Sequence, residues 1–79
     1  MRIKVKLFGT LGRQRPGYEP DQGLWLDFPD GATVEELLAR LEIQAPKGGV
    51  VAADGRVLQV REKLWDGALV HVLQPVFGG

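Results

Sequence analysis

Thr33-Val34-Glu35-Glu36-Leu37-Leu38-Ala39-Arg40-Leu41 is the stretch on which the fold turns. Thr33 is a good helix N-cap, and Glu36 three residues later completes a capping box. Val34, Leu37, Leu38 and Leu41 fall at i, i+3, i+4 and i+7, one apolar stripe on a predicted helix of about ten residues. Glu35, Arg40 and Glu42 occupy its wet side, and Pro46, Gly48 and Gly49 are expected to end it.

Everything around this helix reads as strand. Upstream, Arg2 to Phe8 alternates, with Ile3, Val5 and Leu7 on one face and Arg2, Lys4, Lys6 and Phe8 on the other. Leu24 to Phe28 alternates again, Leu24, Leu26 and Phe28 inward and Trp25 and Asp27 outward, before Pro29-Asp30-Gly31 turns the chain. Between these strands, Gly9 to Gly23 carries four glycines with Pro16 and Pro20, and reads as a long, mobile or partner-ordered loop. Downstream, Val50 to Ala53 is a short apolar strand, and Asp54-Gly55 signals a type I′ hairpin into Arg56-Val57-Leu58. After a turn at Asp66-Gly67, Ala68 to Leu73 forms the last strand, with Val70 and Val72 on one face and His71 and Leu73 on the other. Trp65 reads as a core or turn-packing residue. Two strands, one helix, a short strand pair and a final strand bury their apolar surface by laying the helix across one side of a mixed sheet. The expected fold is α+β, a β-grasp or ubiquitin-like domain of four to five strands. Its first and last strands are expected side by side in the centre.

Composition narrows what such a domain does. Seventy-nine residues make one domain. Ten basic and ten acidic side chains cancel, which argues against nucleic acid or an anionic membrane as partner. With no cysteine and one histidine, thiolate chemistry and a histidine metal cluster have little to build on, and no bound metal or cofactor is expected. No apolar run approaches the ~20 residues that span a bilayer, and the start lacks a signal-peptide centre, so a cytoplasmic protein is expected. Glu35-Glu36 and the pair Asp27 and Asp30 read as solvation and capping rather than an acid–base dyad. His71 has no sequence-near carboxylate, and reads as a surface residue at a protein contact. Gly9-x-x-Gly12 lacks the lysine and hydroxyl of a phosphate-binding loop and is not expected to open a helix.

Two features remain. On the sheet face away from the helix, Phe8 and Leu73 are expected together with Lys4, Lys6 and His71, an apolar spot ringed by positive charge. The competing reading has the Gly9 to Gly23 loop fold over them. The second feature is the ending, Gln74-Pro75-Val76-Phe77-Gly78-Gly79, read as a flexible tail at 75–79 beyond a domain at 1–74.

Ile3-Lys4-Val5-Lys6-Leu7-Phe8, Thr33-Val34-Glu35-Glu36-Leu37-Leu38, Leu64-Trp65-Asp66-Gly67 and Pro75-Val76-Phe77-Gly78-Gly79 together resemble the MoaD/ThiS family of ubiquitin-like sulfur carriers. The ending is more like that of the molybdopterin synthase small subunit than that of thiamine carriers. The resemblance implies that the Gly79 carboxylate is adenylated with ATP by an E1-like activating enzyme and converted to a thiocarboxylate. That group then donates sulfur in molybdopterin or tungstopterin cofactor biosynthesis, within a complex with a larger catalytic subunit. It implies roles for Gly78 in clearance, for Pro75 in stiffening the tail, and for Val76 and Phe77 in anchoring it at the partner's channel entrance. Phe8, Leu73 and His71 would meet the partner. Other readings are a carrier for the thiazole of thiamine or another product, and a ubiquitin-like modifier or interaction module.

Overall fold

The structure, a computed structural model, describes residues 1–13, 15–43 and 50–73. Its elements are β1 (Arg2–Leu7), α1 (Thr10–Arg13), β2 (Leu24–Asp27), α2 (Val34–Arg40), β3 (Val50–Ala53), β4 (Arg56–Leu58) and β5 (Leu69–Leu73). The five strands form one sheet in the order β2-β1-β5-β3-β4, so the first and last strands are central neighbours, as expected. They run parallel, Lys4 opposite Leu69 and Leu7 opposite Val72, while the remaining pairs are antiparallel.

Alternation decides what each strand buries. Ile3, Val5 and Leu7 of β1 and Val70 and Val72 of β5 point to one face, where they meet Val34, Leu37, Leu38 and Leu41 of the helical stripe. Removing these side chains from water is the main stabilising term of so small a domain. The Leu64-Trp65-Asp66-Gly67 turn sets the central register. Asp66 Oδ1 accepts the Arg2 N–H at 2.7 Å, and the Gly67 N–H donates to the Arg2 carbonyl at 2.8 Å. The turn thus clasps both backbone groups at the start of β1, and β5 leaves it already alongside. Leu64 takes the core position here, whereas Trp65 is exposed, against the core reading of that residue. The β3–β4 hairpin follows its turn chemistry, with φ at Asp54 of 51° and at Gly55 of 77°, the doubly positive pair of a type I′ turn.

Helix α2 is shorter than its periodicity suggests, and its ends explain why. At the start, Thr33 Oγ1 accepts the Glu36 N–H at 3.3 Å, the predicted cap. The Val34 and Glu35 N–H groups donate to the carbonyls of Glu62 and Val60, so the 59–62 turn completes the cap from a distance. At the other end, Glu42 takes a φ of 61°. Its N–H donates to Ala39, and that of Ile43 to Leu38, while Ile43 packs against the core. This is a Schellman closure, which stops the helix before Pro46; Pro46, Gly48 and Gly49 lie outside the described residues.

The Gly9 to Gly23 segment also departs from expectation. Thr10–Arg13 is a single helical turn, so Gly9-x-x-Gly12 does lead into a helix, though one of four residues. Two described residues beyond that turn, Arg15 and Tyr18, are tied to other elements. Arg15 Nη2 donates to the Leu41 carbonyl at 3.0 Å, at the end of α2. The Tyr18 hydroxyl accepts the Leu7 N–H at 2.7 Å and donates to the Leu7 carbonyl at 3.2 Å. Leu7 lies beyond the last β1–β2 pair, Val5 with Leu24, so the hydroxyl stands in for a missing strand.

Candidate functional site

The outer face of the sheet carries the side chains that α2 leaves uncovered. Lys6 and His71 are opposite each other across the β1–β5 pair, and the Phe8 N–H extends that ladder by donating to the Val72 carbonyl at 3.0 Å. Parallel pairing therefore brings Phe8, His71 and Leu73 to one end of the central strands. The Phe8 and His71 rings meet edge to face, 5.4 Å between centroids at 76°. Phe8 is 43% exposed and Leu73 38% exposed, so the described part of the 9–23 segment does not cover them. The reading in which it buries both residues is not what the fold does, because Arg15 and Tyr18 hold that segment to the ends of α2 and β1.

The same face is broader than the two residues singled out from sequence. Leu69 on β5 and Val57 on β4 are also exposed there, placed by register opposite Lys4 and Ala52. Strand parity was the available signal for both. At the β2 edge Trp25 is half exposed, with the Arg2 guanidinium 4.9 Å and the Lys4 ammonium 5.5 Å from its ring centroid. Two cations pack against one indole and keep the rim positive. Contiguous apolar surface with a charged rim is the usual form of a protein-binding face.

Side-chain chemistry is sparse elsewhere. Among the described residues no three His, Asp or Glu side chains gather where they would hold a metal ion. No described helix is long and apolar enough to cross a membrane. Glu35, Glu36, Asp27 and Asp30 are all exposed, in keeping with their reading as solvated groups. The tail residues Pro75, Val76, Phe77, Gly78 and Gly79 lie outside the described residues, as does Gln74 at the expected boundary between domain and tail.

A sequence model of the ThiS family matches residues 5–79, through the final glycine. The chain belongs to the ThiS family. Solved structures agree on the fold of this ThiS-family chain. The small archaeal modifier protein SAMP1 from Haloferax volcanii superposes with a TM-score of 0.76 at 20% identity, covering 100% of both chains. A protein from Pyrococcus furiosus, assigned provisionally as subunit 1 of molybdopterin converting factor, gives 0.73 at 27% identity, covering 95% of this chain and 98% of that one. A complex of subunits 1 and 2 of molybdopterin-converting factor from Helicobacter pylori gives 0.59 at 24% identity, covering 100% of both chains. No curated protein matches the sequence of this chain. The β-grasp, ubiquitin-like architecture read from the sequence is the fold of the molecule.

Proposed function

We propose that this chain is a sulfur carrier that works through its own C-terminal carboxylate. The observation that carries the reading is the ThiS-family match, which runs through Gly78 and Gly79 on a β-grasp domain. A carboxylate is a poor electrophile at neutral pH. An E1-like partner would activate Gly79 by attack of a carboxylate oxygen on the α-phosphorus of ATP, with pyrophosphate leaving. Hydrosulfide, already at the oxidation level of the product sulfur, then attacks the acyl carbon and expels AMP, leaving a thiocarboxylate. Glycine at 78 and 79 places no side chain in the narrow channel that such an active site requires. Pro75 restricts the chain ahead of them, and Val76 and Phe77 supply apolar grip at the channel mouth.

The product we assign is the dithiolene sulfur of molybdopterin or tungstopterin, made with a larger catalytic subunit docked on the Phe8, His71 and Leu73 face. Support comes from the Pyrococcus furiosus protein and from the two-subunit Helicobacter pylori complex. A second reading, conjugation to lysines as a protein modifier, is favoured by the similarity to SAMP1. The thiazole of thiamine is a third product of the same carrier chemistry. Sulfur loading and conjugation share the adenylate and part only at the nucleophile. Intact-mass spectrometry of protein isolated from its native cell separates them. A thiocarboxylate adds the mass difference between one sulfur and one oxygen, mapped to Gly79. Only unmodified chain, or chain linked to lysines, under sulfur-replete conditions refutes the carrier reading.

A further inference from the structure

Beside the end of β1 the surface opens into a cleft of about 370 Å³, within the size range of ligand sites. Two features of the 9–23 segment shape it. The Tyr18 hydroxyl is held by both backbone groups of Leu7, and the Tyr18 ring lies against Gly12. A Cβ at Gly12 would stand 2.9 Å from Tyr18 Cε2, so the missing side chain is what lets the ring close the wall. Leu7, Phe8 and the Tyr18 ring give the cleft an apolar lining, and its charged members are Lys6 and Arg13. Among the described residues no acidic side chain lines it, and no carboxylate pairs with either cation. In a chain whose charges cancel overall, this is a local positive field in search of a counter-charge.

Phe8 decides what kind of anion fits. It belongs to the cleft and also to the outer face, where its ring meets His71. A small inorganic anion would answer Lys6 and Arg13 but leave Phe8 in water. A polypeptide crossing from the cleft to the face answers both. We infer that the cleft receives an acidic segment of the adenylating enzyme, which uses this face before the catalytic subunit does, one carboxylate side chain meeting Lys6 and Arg13 while an apolar neighbour covers Phe8. The inference rests on the outer face being the partner surface, and it adds the chemistry of the segment that binds there.

The test measures affinity of the full chain for its ATP-dependent adenylating enzyme, with Lys6→Glu/Arg13→Glu, Lys6→Gln/Arg13→Gln and Phe8→Asp variants beside the wild type. Both cations are solvent-accessible, so the double variants are expected to melt as the wild type does. Double charge reversal is expected to weaken binding about tenfold, and double neutralisation by less. The salt dependence of binding flattens in both. Normal affinity in the reversed variant, with weakened binding in Phe8→Asp, overturns the cleft and leaves the face standing. Normal affinity in all variants overturns the face as well. No binding of the wild type removes the proposed function and both contacts with it. In a separate titration of the ¹⁵N-labelled chain with inorganic phosphate, weak and unsaturable shifts at Leu7 and Arg13 are expected. Saturable binding of phosphate there makes the cleft a small-anion site and overturns the peptide assignment.

Discussion

Tyr18→Phe removes a single oxygen, and the structure sets what that oxygen is worth. The hydroxyl accepts from the Leu7 N–H at 2.7 Å and donates to the Leu7 carbonyl at 3.2 Å, both partly buried. No strand pairing replaces these bonds, because β2 ends its register with β1 at Val5. A hydrogen bond contributes about 1 kcal/mol net, and a buried backbone group left unpaired costs about 1–3 kcal/mol. Two bonds sum to about 2 kcal/mol; partial burial lets water take part of the vacated site, which brings the loss somewhat below that sum, to about 1.5 kcal/mol. With 79 residues the unfolding entropy at the midpoint is about 0.17 kcal/mol/K, so the melting temperature is expected to fall by about 9 °C. Calorimetry or circular dichroism reads the shift. Amide exchange reads its location, with protection lost at Leu7 before it is lost at Val5. A Tyr18→Phe melt within about 2 °C of wild type, with Leu7 exchange unchanged, refutes the claim that the hydroxyl replaces a strand.

Deleting Gly79 is expected to abolish sulfur loading, read by intact mass, while the thermal melt stays at the wild-type value; a large loss of stability would make the tail structural. Leu73→Asp is expected to weaken binding to the adenylating enzyme severalfold with little change in melting temperature, since the side chain it replaces is exposed on the outer face. Glu62 tests an electrostatic device. The Arg56 guanidinium at 2.8 Å, and then the Gln59 N–H, hold its carboxyl below the ordinary 4.5. A lowered folded value stabilises above the unfolded one and is lost as pH falls through the folded one. Wild type is therefore expected to melt above Glu62→Gln near neutral pH, with the gap closing in acid; a gap independent of pH contradicts the ion pair.

How much of this was legible beforehand depends on how far apart the deciding residues stand. The strand faces, the Thr33 cap and the Asp54-Gly55 turn are set by residues within a few positions of one another, and each formed as read. Central pairing of the first and last strands followed from the element order, because one helix must cover one sheet face. The length of α2 did not follow, since Glu42 in the left-handed region is a poor advertisement for a helix end. Nor did α1, four residues with Gly12 among them, too short for any periodicity to register.

The outer site shows the same division. Phe8, His71 and Leu73 were assigned to one face by parity, and the β1–β5 register put them together. The cleft beside them was not foreseen. Lys6 and Arg13 share it only because the Tyr18 hydroxyl bonds to Leu7, eleven residues away, and the ring packs over Gly12. Nothing in the local pattern around Tyr18 marks it as anything but a loop aromatic.

By itself, then, the sequence determined the alternation of the strands, the stripe of the helix and the tight turns, and it carries the Gly78-Gly79 pair on which the proposed function rests. These are short-range properties, decided by side-chain parity and backbone freedom within a few residues. Only the tertiary structure decided how the 9–23 segment is held, how the start of α2 is capped from Val60 and Glu62, and which charges share a cleft with Phe8. The physical reason is that hydrogen-bonding groups left over by one element are satisfied by whichever other element the fold brings near. That pairing exists only once the sheet has closed on the helix.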